Sequence, residues 1–448
     1  YMKKIRHKFL VVVLAVMVLG VGALSYIGLN GMGYHSLIES YESGTAYFWY
    51  TNENMTGYYN NVASVFNKRH RGADVVPVLV TAKEYLEHIY QASIKGEEYP
   101  DIYVVTSDAM EKAYLSGLTI PVEEEGKVRG QFPEVAIEAA SYEGNLLGYP
   151  LYFDTSTLVY NKTLLEKIAF DQFRIAAEAE GVANPESITV EQEKIDNLVQ
   201  IMIPETIDEL ITFSNNLEAP EGLETVFKWN INDVFFNYFY LGEYIQLSGS
   251  EIDIYNENTA ACMEVFEHLT EYFYMDAETV STESILQEFM SGSVLFTILD
   301  SDSAVKLEAA KEAGELGFEY DYALIPNPSD ELYGRPLSVT NVVVVNGYAA
   351  HSNTATEFAE FLAMSSTCID QLYDKTGYIS SNEHASVLSN MEKVFKMEYA
   401  ESASMPNYMV TSNFWMLLEN AFNEIWDGGD SGATFEKLEE RLKNQIPE

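Results

Sequence analysis

Five acidic residues stand where a turn, a strand end or an aromatic run would present them: Glu53, Asp108, Asp154, Asp233 and Asp302. A pair of carboxylates flanking a glycosidic bond could hydrolyse it, as acid and base or as acid and nucleophile. The same groups could instead accept hydrogen bonds from sugar hydroxyls and do no chemistry. Sequence gives no separation between them, and among 69 acidic residues a pair is easily imagined. Other chemistries lack their residues, since no GxxxxGKS/T phosphate loop, HExxH, GxSxG or CxxC pattern is present. The seven histidines are scattered, with His268 in a predicted helix and His351 in a predicted loop, so neither a metal site nor a cofactor is expected. Cys262 and Cys368 both fall in predicted helices and read as small buried apolar residues.

The stretch that would position these acids is Glu143 to Lys162, EGNLLGYPLYFDTSTLVYNK. Gly144, Asn145 and Gly148 supply turn chemistry, Pro150 forbids a helix, and Leu151, Phe153, Leu158, Val159 and Tyr160 favour strand. Asp154 interrupts that apolar run and needs a partner there. Strand and helix alternate before it: strand 45–51, a polar loop Asn52, Glu53 and Asn54, a helix with Tyr58, Val62, Val65 and Phe66 on one face, strand 74–80, a helix opened by a Thr81–Glu84 capping box, strand 101–106, and a short helix opened by Asp108 and closed by Gly117. This pattern predicts a mostly parallel sheet, with ligands beyond the carboxyl ends of its strands, where Asn52, Glu53 and Asp108 would lie. After the segment come a charged helical stretch over 165–203, read as a surface insertion, and a helix near 204–217 opened by Thr206 and Glu209. An aromatic run, 227–244, follows with Asp233 in its middle, then a strand ending in Asp300 and Asp302, and a β-branched strand 337–346 read as a second crossover. The segment therefore joins two α/β lobes, and the cleft beside such a hinge is the expected ligand site.

At 448 residues the chain exceeds what one core ordinarily serves. A net charge of −43 opposes nucleic-acid binding, which needs a basic surface. Residues 1–35 hold Lys3, Lys4, Arg6 and Lys8 before an apolar run from Phe9, which reads as a signal peptide or a membrane anchor and implies export. The expected organisation is 1–35 signal or anchor, 36–44 linker, 45–153 first part of the amino-terminal lobe, 154–337 first part of the carboxy-terminal lobe, 338–388 hinge strand and second part of the amino-terminal lobe, and 389–448 second part of the carboxy-terminal lobe.

FWYTNEN at Phe48–Asn54, YPDIYVVTSDA at Tyr99–Ala109, YPLYFDTSTLVYNK at Tyr149–Lys162, EFMSGSVLFTI at Glu288–Ile298 and MPNYMVTSNFW at Met405–Trp415 occur in this order. Over about residues 45 to 445 the chain resembles extracellular substrate-binding proteins of ABC sugar importers, of the maltose/maltodextrin-binding type. The resemblance implies a bilobal periplasmic-binding-protein fold with three crossings between lobes, no enzymatic activity, a monomer that closes on an oligosaccharide, and recognition by membrane permease subunits. It places Trp49, Asn52, Glu53, Asp108 and Asp154 on the amino-terminal side of the cleft and Trp415, Asp233, Phe235 and Asp302 opposite. Carboxylates and amides suit sugar hydroxyls, and aromatic rings suit the C–H face of a pyranose. Residue types leave alternatives for several: Trp49 suits a core as well as a ligand, Asp108 suits a helix N-cap, and Glu53 suits solvent. Relatives carry tryptophan where this chain has Val105 and an aromatic where it has Met416, so fewer stacking faces are expected.

Overall fold

The computed structural model describes residues 44–444 apart from 71, 82, 97, 248–251, 274, 276, 278 and 406–412. The signal or anchor expected over 1–35 lies outside these residues. Among the described residues no helix is long and apolar enough to cross a membrane.

Eleven strands build two sheets: β1 Gly44–Tyr50, β2 Ala73–Leu79, β3 Ile102–Thr106, β4 Tyr149–Asp154, β5 Ser156–Asn161, β6 Thr225–Lys228, β7 Val294–Asp300, β8 Tyr320–Ala323, β9 Leu337–Val345, β10 Ile379–Ser380 and β11 Ala403–Ser404. The first sheet runs β10-β4-β9-β3-β1-β2, with β11 beside the start of β9. β1 pairs parallel with β2 and β3, as expected for strands joined by helical crossovers. β9 lies antiparallel between β3 and β4. The second sheet runs β8-β5-β7-β6. Helices cover both: in Thr56–Arg69 the buried Tyr58, Tyr59, Val62, Ala63 and Phe66 repeat at helical spacing and pack toward β2.

Thr155 alone separates β4 of the first sheet from β5 of the second. Both strands are buried along almost their whole length, which is why the segment is apolar without alternation. Residues 324–336 return from β8 to β9, and the chain leaves the first sheet again after β11. These crossings are tied together: the Thr155 hydroxyl donates to the Leu337 carbonyl (2.9 Å), Ser301 N–H donates to the Thr155 carbonyl (3.2 Å), and Ser402 Oγ donates to Ser338 Oγ (2.7 Å).

Several expected details differ. The helix near Thr81 begins at Tyr85, with Glu84 in a left-handed turn (φ 52°) and no side-chain cap, so the Thr81–Glu84 box does not form. Asp108 sits inside a 3-10 turn, Ser107–Ala109, and caps no helix. Gly148 has no positive φ; a Cβ there would meet the Val343 carbonyl at 2.7 Å, so it is present for close packing on β9 and not for a turn. Beyond residue 389, the helix Asn390–Glu401 packs on β5 and β8 of the second sheet, and β11 after it pairs with the start of β9. Cys262 and Cys368 are free and buried.

Candidate functional site

Between the carboxyl-end loops of the first sheet and the second lies a cavity of about 1010 Å³. Asn52, just beyond β1, caps the 3-10 turn Glu53–Met55 through its Oδ1, which accepts from Asn54 N–H. Its Nδ2 donates to the hydroxyls of Tyr378 (2.9 Å) and Tyr152 (3.4 Å). Those two rings stack at 4.7 Å and 28°, so Asn52 fixes an aromatic platform on this wall. Tyr152 and Asp154 are two residues apart on β4, and strand periodicity turns both toward the cavity. Asp108 lines the same wall.

The facing wall begins with Asp233, which caps the short helix Val234–Asn237 by accepting from Phe235 N–H (2.9 Å). Phe235 is half-buried and lines the cavity. At the end of β7, Asp300 accepts from Ser303 N–H (2.7 Å) and opens the helix Ser301–Glu312, whose first turn carries Asp302. Trp415, in the first turn of helix Phe414–Trp426, is braced by Tyr238 (ring centroids 5.6 Å apart) and leaves part of its indole at the cavity.

Asp154 sits at the crossing itself, where its Oδ1 accepts from Ser301 N–H (3.1 Å) and from Ser301 Oγ. Burial holds its carboxyl well above the usual range, and Asp300 and Asp302 push the same way against the Ser301 hydrogen bonds. Burial, then Asp300, raises Asp233 as well. Asp302 is raised by burial and Asp300, opposed by Lys306. The result is a set of carboxylates that disfavour one another's charge and hold many acceptor sites toward one space.

Of the residues expected at a site, Asn52, Asp108, Asp154, Asp233, Phe235, Asp302 and Trp415 line this cavity. Trp49 does not: it is 6% exposed, packed beside His88 in the core of the first sheet, as an aromatic inside an apolar strand ordinarily is. Glu53 is an exposed residue of its turn and is not on the cavity wall. Sequence reasoning missed Tyr152, Tyr378, Glu84, Lys112 and Asp300. Tyr152 had a signal in its two-residue spacing from Asp154, whereas Tyr378 is brought in from 326 residues beyond Asn52 and had none. Among the described residues no group of His, Cys, Asp or Glu could hold a metal ion.

Residues 61–397 match the family of bacterial extracellular solute-binding proteins. No curated protein sequence matches the chain. Among solved structures, the chain is similar to an extracellular solute-binding protein from Staphylococcus aureus in complex with maltose (17% identity, 90% of this chain and 96% of that one, TM-score 0.70). It is similar also to a maltose-binding periplasmic protein from Listeria monocytogenes in complex with maltose (18%, 90% and 98%, TM-score 0.71). A third is a cyclo/maltodextrin-binding protein complexed with maltotetraose (18%, 90% and 97%, TM-score 0.71). The two-lobed fold is thus shared with solved sugar-binding proteins. The chain belongs to the bacterial extracellular solute-binding protein family.

Proposed function

We propose that this protein is the extracellular binding component of an ABC importer, which captures an oligosaccharide of maltodextrin-like size by lobe closure and passes it unchanged to membrane permease subunits. The observation that carries this reading is the cavity: a stacked tyrosine pair on one wall, a braced indole on the other, and carboxylates between them. Aromatic faces meet the C–H faces of sugar rings, and carboxylates accept from their hydroxyls, so each wall holds half of the complement to a short saccharide. The complexes of similar proteins with maltose and maltotetraose support the ligand class. Export directed by the apolar run from Phe9, as a signal peptide or a membrane anchor, completes the proposal; the protein acts as a monomer.

The test is calorimetric titration with maltotriose, followed by chromatography of the recovered sugar. Saturable binding with the sugar returned intact is expected. Released glucose or maltose would replace this reading with that of a carbohydrate-active enzyme, and no heat with any neutral or amino-bearing saccharide would remove the saccharide assignment.

A further inference from the structure

Among the described residues, six carboxylates line the cavity, on Glu84, Asp108, Asp154, Asp233, Asp300 and Asp302, against one cation, Lys112. They come from both walls, so bringing the lobes together concentrates them and expels the water that screens them. A neutral sugar can satisfy these oxygens as acceptors yet leaves the acidic imbalance in place, relieved only where a carboxyl holds a proton. A ligand that brings a positive charge relieves it without that proton.

Two further features suit such a ligand. Tyr152, Tyr378 and Trp415 line the cavity, and electron-rich aromatic rings attract an ammonium as well as a C–H face. The hydroxyl of Tyr59, a side chain 1% exposed that also lines the cavity, has no hydrogen-bond partner, so the wall retains an unsatisfied polar group of its own.

We infer that the cleft selects saccharides carrying a protonated amine over neutral saccharides of the same length. This rests on the saccharide reading above and narrows it. The shared chemistry is an ammonium among carboxylates, which a linear polyamine would also present, and the test separates the two.

The experiment titrates the wild-type protein and Asp302→Asn with four probes at low and high salt: the glucosamine trimer, its fully N-acetylated and neutral counterpart, maltotriose and spermidine. At low salt the glucosamine trimer is expected to bind wild type at least about ten-fold more tightly than either neutral trisaccharide, a factor of the size one added attractive charge contact supplies. That advantage should shrink at high salt and in Asp302→Asn, while maltotriose affinity stays nearly constant with salt. Maltotriose binding as tightly as the amine would overturn the inference and leave the proposed function standing. Spermidine binding with no saccharide bound at all would overturn both. An amine advantage indifferent to salt and to Asp302→Asn would overturn the electrostatic origin argued here.

Discussion

Trp415 separates stacking from generic polar capture. Tyr238 and Phe414 brace its ring, so the exposed part of the indole is presented in one orientation. Trp415→Ala should lower maltotriose affinity more than about ten-fold, since an aromatic contact contributes roughly 0.5–1.5 kcal/mol beyond the area it buries, and Trp415→Phe should lower it less. Calorimetry of the three proteins checks this, and equal affinities would take Trp415 out of the site. Asp154→Asn should leave the fold intact, because an amide oxygen can still accept from Ser301, while losing several-fold in affinity, because an amide nitrogen replaces the second oxygen that would accept from a ligand hydroxyl. Circular dichroism and titration together decide it. Residue types were readable in proportion to how much their surroundings constrain them. An acid in an apolar strand, Asp154, pointed to a partner before any was visible. Trp49 misled because a tryptophan in a buried strand has two uses, and only its burial in the folded protein shows which one holds.

The elements that set the cleft are β4, β9 and the helix Asn390–Glu401 that clamps them. Phe153 of β4 stacks on Tyr399 of that helix at 3.8 Å, and Thr340 of β9 hydrogen-bonds the Tyr399 hydroxyl (2.7 Å). Gly148 lets the approach to β4 lie against β9; Gly148→Ala should destabilise the protein by about 1–3 kcal/mol through overpacking, read as a lower urea midpoint. Glu398 of the clamping helix accepts from Ile325 N–H in the second crossing, and burial lifts its carboxyl from 4.5 to about 8 despite that bond. Between those values the folded protein holds a proton that the unfolded chain has released, so stability falls as pH rises from about 4.5 to about 8. Asp154, Asp233 and Asp302, also raised, act in the same direction. Urea unfolding at pH 5 and pH 8 should show a clearly shallower loss in Glu398→Gln than in wild type; equal slopes would remove Glu398 as a source. Helices were legible from apolar spacing, as with Thr56–Arg69, where Tyr58, Val62 and Phe66 of the expected face are buried. Caps were less so: Thr81 with Glu84 has the residue types of a capping box, but the chain turns left-handed at Glu84 and the box cannot close. Such a choice depends on the tertiary path, which local sequence does not contain.

At the scale of the whole molecule, chain order explains the function proposed for it. The chain passes from the first sheet to the second at Thr155, returns through 324–336, and leaves again after β11. Crossings held together at Thr155, Leu337, Ser338 and Ser402 give the two lobes a common axis, and whole-lobe rotation about such a hinge is how cleft binders close. The two lobes were readable because strand and helix alternate on both sides of one apolar crossover. β11 carries no such signal, because it is two residues long and joins the first sheet only by pairing with a strand far earlier in the chain. Small-angle X-ray scattering with and without a saturating saccharide tests the central claim most directly. The account predicts a smaller radius of gyration at unchanged mass; an unchanged radius, or a dimer formed only with ligand, would contradict it.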